Sequence, residues 1–310
     1  EVDEHFSNVG VITRIEAFLN SLNHRPVEVL PKDFVLEQVD IRPCHLPAVP
    51  EKDFPLWLPP LGEYTASLTG YFRAQGVDAH ALPHLSAHAL SLGRAETSAK
   101  EYLPFPALLG GILAQQEVDP APAQFLIPQT QGAEADGQYA RVIRAVLDRR
   151  GNQSAKLVSL MLETLPATAQ DRDALFRALL AGDILYAAPA AMRAGIAAAW
   201  DTLPGWAQLH KAAVEIGRCP DTGRRLATVG TPLCLTELDS GVLSTLEAEG
   251  SQLLRAPLSE ALWFLWKDNM DANKPCAKWL EQMAQEMLRL DLLIKKRRPK
   301  LPAALECDAP

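Results

Sequence analysis

Residues 132–139 read GAEADGQY, a glycine-bracketed stretch between the apolar run QFLIPQTQ and the helical pattern ARVIRAVLDRRG. Turns that join a strand to a helix are where α/β proteins hold ligands. Between Gly132 and Gly137 the side chains on offer are those of Glu134 and Asp136, with no cysteine, histidine, lysine or serine to take a metal or a phosphate. Two carboxylates two residues apart can do acid–base work if burial separates their pKa values. At a helix N-terminus, Asp136 more simply caps the helix starting near Gly137, where negative charge is favoured.

Other residues offer chemistry more weakly. His80, His84 and His88 recur at steps of four in HALPHLSAHAL, and two imidazoles one helical turn apart could share a divalent metal. Pro83 interrupts that spacing and no carboxylate completes the set, so surface or packed histidines are the simpler reading. Gly62 in LPPLGEY and Gly230 in VGTPLCLTE each follow a strand pattern. Neither forms a dinucleotide fingerprint or a P-loop, and single glycines there serve the turn. Cys44, Cys219, Cys234, Cys276 and Cys307 are scattered, odd in number and without a CxxC pair, which fits isolated thiols in a reducing, cytoplasmic setting. Cys234 has no histidine nearby in sequence to act as its base, so it reads as an inert thiol.

The elements that must position these groups follow from composition and periodicity. At 310 residues, 48% hydrophobic and 22% charged, the chain can bury one large core or two medium ones. A net charge of −8 argues against a nucleic-acid binder, and KKRRPK at 295–300 reads as a solvated helix end. No apolar run reaches the roughly 18 residues of a membrane span. Residues 1–52 read as a helix and a proline-dotted linker arm. From residue 53 to 166, FPLWLPP, VDAHALP, AQFLIPQ and AKLVSLMLE alternate as strands with helices such as EYTASLTGYFRAQG and PFPALLGGILAQQ. Residues 167–224 are alanine- and leucine-rich and read as a helical insert or cap. Residues 225–310 return to the α/β rhythm with RRLATVGTPLCL, SGVLSTLEAEG and SQLLRAP, and end in a long amphipathic helix. The expected fold is α/β: two flavodoxin-like, doubly wound, mainly parallel units with a helical insert.

The segment GRAETSAKEYLPFPALLGGIL, followed by AQFLIPQTQGAEADGQYARVIRAVLD, resembles the 2-hydroxyacyl-CoA dehydratase superfamily, in particular the modules fused to or beside acyl-CoA dehydratase activases. Those modules run approximately G-R-x-x-T-S-G-x-E-C-x-P-x-x-x-x-x-G-x-x-L, then a strand ending near proline, then G-P-C-R-F-G-Q-Y. Gly93, Arg94, Thr97, Ser98, Glu101, Pro104, Gly110 and Leu113 fit the first half; Pro128, Gly132, Gly137, Gln138 and Tyr139 fit the second. More loosely, Gly230, Leu246, Glu247, Gly250, Pro257 and Glu260 resemble the family's second α/β unit. The likeness covers roughly residues 54 to 270.

In that family the cysteines of the two motifs bind a [4Fe-4S] cluster that passes an electron to a thioester. Here those positions are Tyr102 and Glu134, and a phenol with a carboxylate does not replace two thiolates. The resemblance therefore implies a degenerate, cluster-free and non-catalytic relative, without a cofactor. Its role would be structural or docking, with an activase or dehydratase subunit as partner, and neither nucleic acid nor a membrane. The chain opens at Glu1 and could belong to a larger activase polypeptide. Two alternatives stand beside this reading. One is an iron–sulfur electron-transfer component with atypical ligands such as Cys219 or Cys234; the other is a module that binds acyl-CoA or another small molecule in a cleft.

Overall fold

The computed structural model describes residues 46–97, 103–128, 135–160, 168–200, 202–219, 225–228, 252–255, 257–269 and 274–294. The N-terminal helix and most of the arm expected over 1–52, the helix expected over SGVLSTLEAEG, and the basic run at 295–300 lie outside these residues.

The alternating patterns fold as strands β1 Leu56–Leu58, β2 Ala79–Ala81, β3 Ala123–Pro128 and β4 Ala155–Leu160. They form one parallel sheet in the order β2-β1-β3-β4, with Leu56 beside both Ala79 and Gln124, and Phe125 beside Leu157. Helices α1 Tyr64–Ala74, α2 Ala87–Ala95, α3 Pro104–Val118 and α4 Tyr139–Arg149 connect them, a short 3-10 turn at Ala135–Gln138 leading into α4. Because strand side chains alternate between faces, Phe125, Ile127, Ala155 and Leu157 pack with α3 and α4 on one side. On the other side Leu56, Leu58, Leu126 and Val158 pack with α1. Helices cover both faces of a parallel sheet, and the fold is α/β.

The alanine-rich stretch forms α5 Ala169–Ala187, α6 Ala190–Ala198 and α7 Trp206–Arg218. Thr168 caps α5, its Oγ1 accepting from the Asp171 amide at 3.0 Å. Far from a peripheral cap, α5 runs through the larger hydrophobic cluster, with Leu175, Phe176, Leu179, Ile184 and Leu185 all buried. Apolar residues all round a helix are what burial on several sides demands. Beyond it, β5 Arg225–Thr228 and β6 Gln252–Arg255 pair in parallel as a two-stranded sheet, followed by α8 Leu258–Asn269 and α9 Lys274–Ile294. The inward stripe expected on α9 is present: Leu280, Met283 and Leu290 are buried, while Trp279, Met287 and Leu293 pack against the same cluster half-covered.

The outer edge of β4 is covered by the chain entering the sheet. Ser159 donates its amide to the Pro47 carbonyl at 3.0 Å, and Glu51 pairs with Lys156 at 2.8 Å. The Gln124 side chain holds the same segment, accepting from the Glu51 amide at 2.8 Å and donating to the Glu51 and Phe54 carbonyls at 2.7 and 3.0 Å. Such a strap blocks edge-to-edge pairing with another chain.

Candidate functional site

The strand order fixes where a site would form. From β1 the chain crosses to β2 on one flank, then passes over to β3 on the other, so the reversal falls between β1 and β3. A crevice at the carboxyl ends of strands on either side of such a reversal is the usual ligand position in doubly wound sheets. The turn carrying Gly62 follows β1, and that carrying Gly137, Gln138 and Tyr139 follows β3, so these predicted residues share one edge of the sheet. Tyr102, Gly132, Glu134 and Gly230 lie outside the described residues.

The Gly62 turn is closed upon the protein. Gly62 has φ of 59°, the left-handed region that glycine enters without a steric penalty, and a Cβ there would overlap the Tyr186 hydroxyl oxygen. The Leu61 amide donates to Thr65 Oγ1 at 2.6 Å, the Thr65 amide to the Gly62 carbonyl at 3.1 Å, and the Glu63 amide to Tyr186 Oη at 3.0 Å. Glu63 also pairs with Arg193 at 3.3 Å, whose guanidinium donates to the Leu185 and Ala188 carbonyls at 3.0 and 3.2 Å. With the Leu61, Glu63 and Thr65 amides engaged within the chain, this turn is tied back into the protein. Gly62→Ala is expected to lower stability by about 2 kcal/mol through strain and overlap, read as a drop in the urea midpoint.

On the β3 side, α4 begins at Tyr139, so its cap position is Gln138, which makes no side-chain cap bond. The backbone therefore places the cap two residues beyond Asp136, because the 3-10 turn at Ala135–Gln138 delays the helix. The Tyr139 ring lies 4.8 Å from the Phe105 ring of α3, so this tyrosine packs two helices together.

Two other retained positions are also packing residues. Gly93 of α2 and Gly110 of α3 form a crossing so close that a Cβ on Gly93 would overlap the Pro106 carbonyl oxygen, and one on Gly110 that of Ala89. Glu96 at the end of α2 takes Arg150 of the segment after α4 at 2.7 Å, and also Arg149. Those two guanidinium groups, by hydrogen bonding first, hold the Glu96 carboxyl below its ordinary range.

The histidines do not converge. Helix α2 starts at Ala87, capped by Ser86, so His84 precedes it and the one-turn spacing to His88 is not helical. His80 pairs with Asp78 at 2.8 Å and stacks on Trp57, while His88 pairs with Glu117 at 2.7 Å. Cys219 ends α7, half-buried, with its Sγ 3.0 Å from the Met192 sulfur. Among the described residues, no group of three or more histidine, cysteine, aspartate or glutamate side chains is arranged to hold a metal ion.

A polar cluster that sequence reasoning missed lies where α1, α5 and α8 meet. Tyr64 Oη donates a short hydrogen bond to Asp183 Oδ1. The same carboxylate accepts the first amides of α8, Leu258 at 2.8 Å and Ser259 at 3.2 Å. Asp183 thus caps α8 from a neighbouring helix, at the end where the helix dipole favours an anion. Gly182 lets the Tyr64 ring lie against α5, since a Cβ there would overlap the ring. Burial first, and then the Asp183 charge and hydrogen bond, push the Tyr64 phenol well above its ordinary pKa, so it keeps its proton at neutral pH. Burial also raises Asp183 above the usual carboxylate range, opposed by the hydrogen bonds from Ser259, Tyr64 and Leu258. A carboxylate engaged by several donors beside a phenol that does not ionise is a clamp between helices, not an acid–base pair. Its sequence signal was a lone aspartate inside the apolar run ALLAGDILYAA.

These features define an α/β protein with a parallel sheet, a topological switch between β1 and β3, and a Gly62 turn at that edge tied back into the fold. Comparison with protein-family models, with curated proteins and with solved structures finds no match.

Proposed function

We propose that this chain is a cluster-free, non-catalytic relative of the 2-hydroxyacyl-CoA dehydratase and activase-associated modules, serving as a structural or docking domain toward an activase or dehydratase subunit. The observation that carries the reading is a division of labour among the residues of the resemblance. Gly93, Gly110 and Tyr139, which match the family pattern, make helix crossings and ring packing that folding requires. Tyr102 and Glu134, which depart from it, stand where the family's chemistry requires thiolates. A chain that retains the framework while losing the ligands is suited to presenting a surface rather than moving an electron.

The test is co-elution of the full chain with a purified 2-hydroxyacyl-CoA dehydratase subunit and with its activase on a sizing column. A stoichiometric complex with either is expected, with no change in Tm on adding acetyl-CoA. Separate elution from both, with an acetyl-CoA-dependent rise in Tm, would replace this reading with that of a thioester-binding module.

A further inference from the structure

We draw no further inference here: the strongest candidate, the buried Ser159 hydroxyl at the carboxyl edge of β4, which has no hydrogen-bond partner among the described residues, carries nothing, because residues 129–134 and 161–167, which follow β3 and β4 at that edge, lie outside those residues.

Discussion

Asp183→Ala is expected to lower the unfolding free energy by on the order of 3–5 kcal/mol, as each buried donor left without its acceptor costs about 1–3 kcal/mol. The Tyr64 hydroxyl and the Leu258 and Ser259 amides all lose their carboxylate oxygen at once, and α8 loses its cap. Urea midpoints, with the denaturant slope compared between variants, measure the loss. Asp183→Asn is milder, since an amide keeps one acceptor oxygen but turns an N–H group toward a donor.

The pH dependence gives this clamp a signature. Burial raises the folded-state pKa of Asp183 above its unfolded value of about 3.9. Between those values the folded chain holds a proton that the unfolded chain releases, so stability falls as pH rises. The contribution is fully present below about pH 4 and is lost as pH climbs through the folded-state value. Asparagine does not titrate, so the deficit of Asp183→Asn relative to the wild type is widest near pH 4 and narrows above it. A deficit that instead widens with pH would mean that the hydrogen bonds outweigh burial and depress the carboxyl.

The crossing of α2 and α3 gives the second large effect. Gly93→Ala or Gly110→Ala is expected to cost about 3 kcal/mol, because the added methyl meets backbone carbonyl oxygens that cannot rotate away. The opposite glycine's amide nitrogen, 3.0 Å from a Cβ on Gly93 and 3.1 Å from one on Gly110, closes the remaining space. Gly111→Ala, one residue along α3, is the control. Its nearest neighbour would be a Leu82 methyl at 3.7 Å, so alanine should stabilise the helix by about 0.5–1 kcal/mol. A common response at all three glycines would show that helix propensity, not the crossing, governs these positions.

Much of the sheet was legible because its strands are short apolar runs set apart by turn residues. QFLIPQ, AKLVSL and PLWLPP each mark a buried parallel strand, and the alternation with helices implies the layers. Helix α2 was hidden because HLSAHALSLGRA mixes small, polar and apolar residues, and its packing depends on Gly93 meeting a helix that begins nine residues after it ends. The central place of α5 was hidden for a different reason: a stretch rich in alanine and leucine has the same composition whether it covers a core or fills one. At the candidate edge, the sequence located both turns but could not show that the Gly62 turn is tied to Tyr186, more than a hundred residues away. The Asp183 clamp joins three elements distant in the chain, and no local pattern records such a meeting.

The most direct test of the cluster-free reading is the amount of iron and acid-labile sulfide per chain, in protein prepared anaerobically with iron supplied. With Tyr102 and Glu134 where thiolates would stand, a folded chain with near-zero iron and sulfide is expected. Stoichiometric iron and sulfide, with visible absorption that bleaches on reduction, would contradict it and make electron transfer through cysteines such as Cys219 or Cys234 the function to pursue.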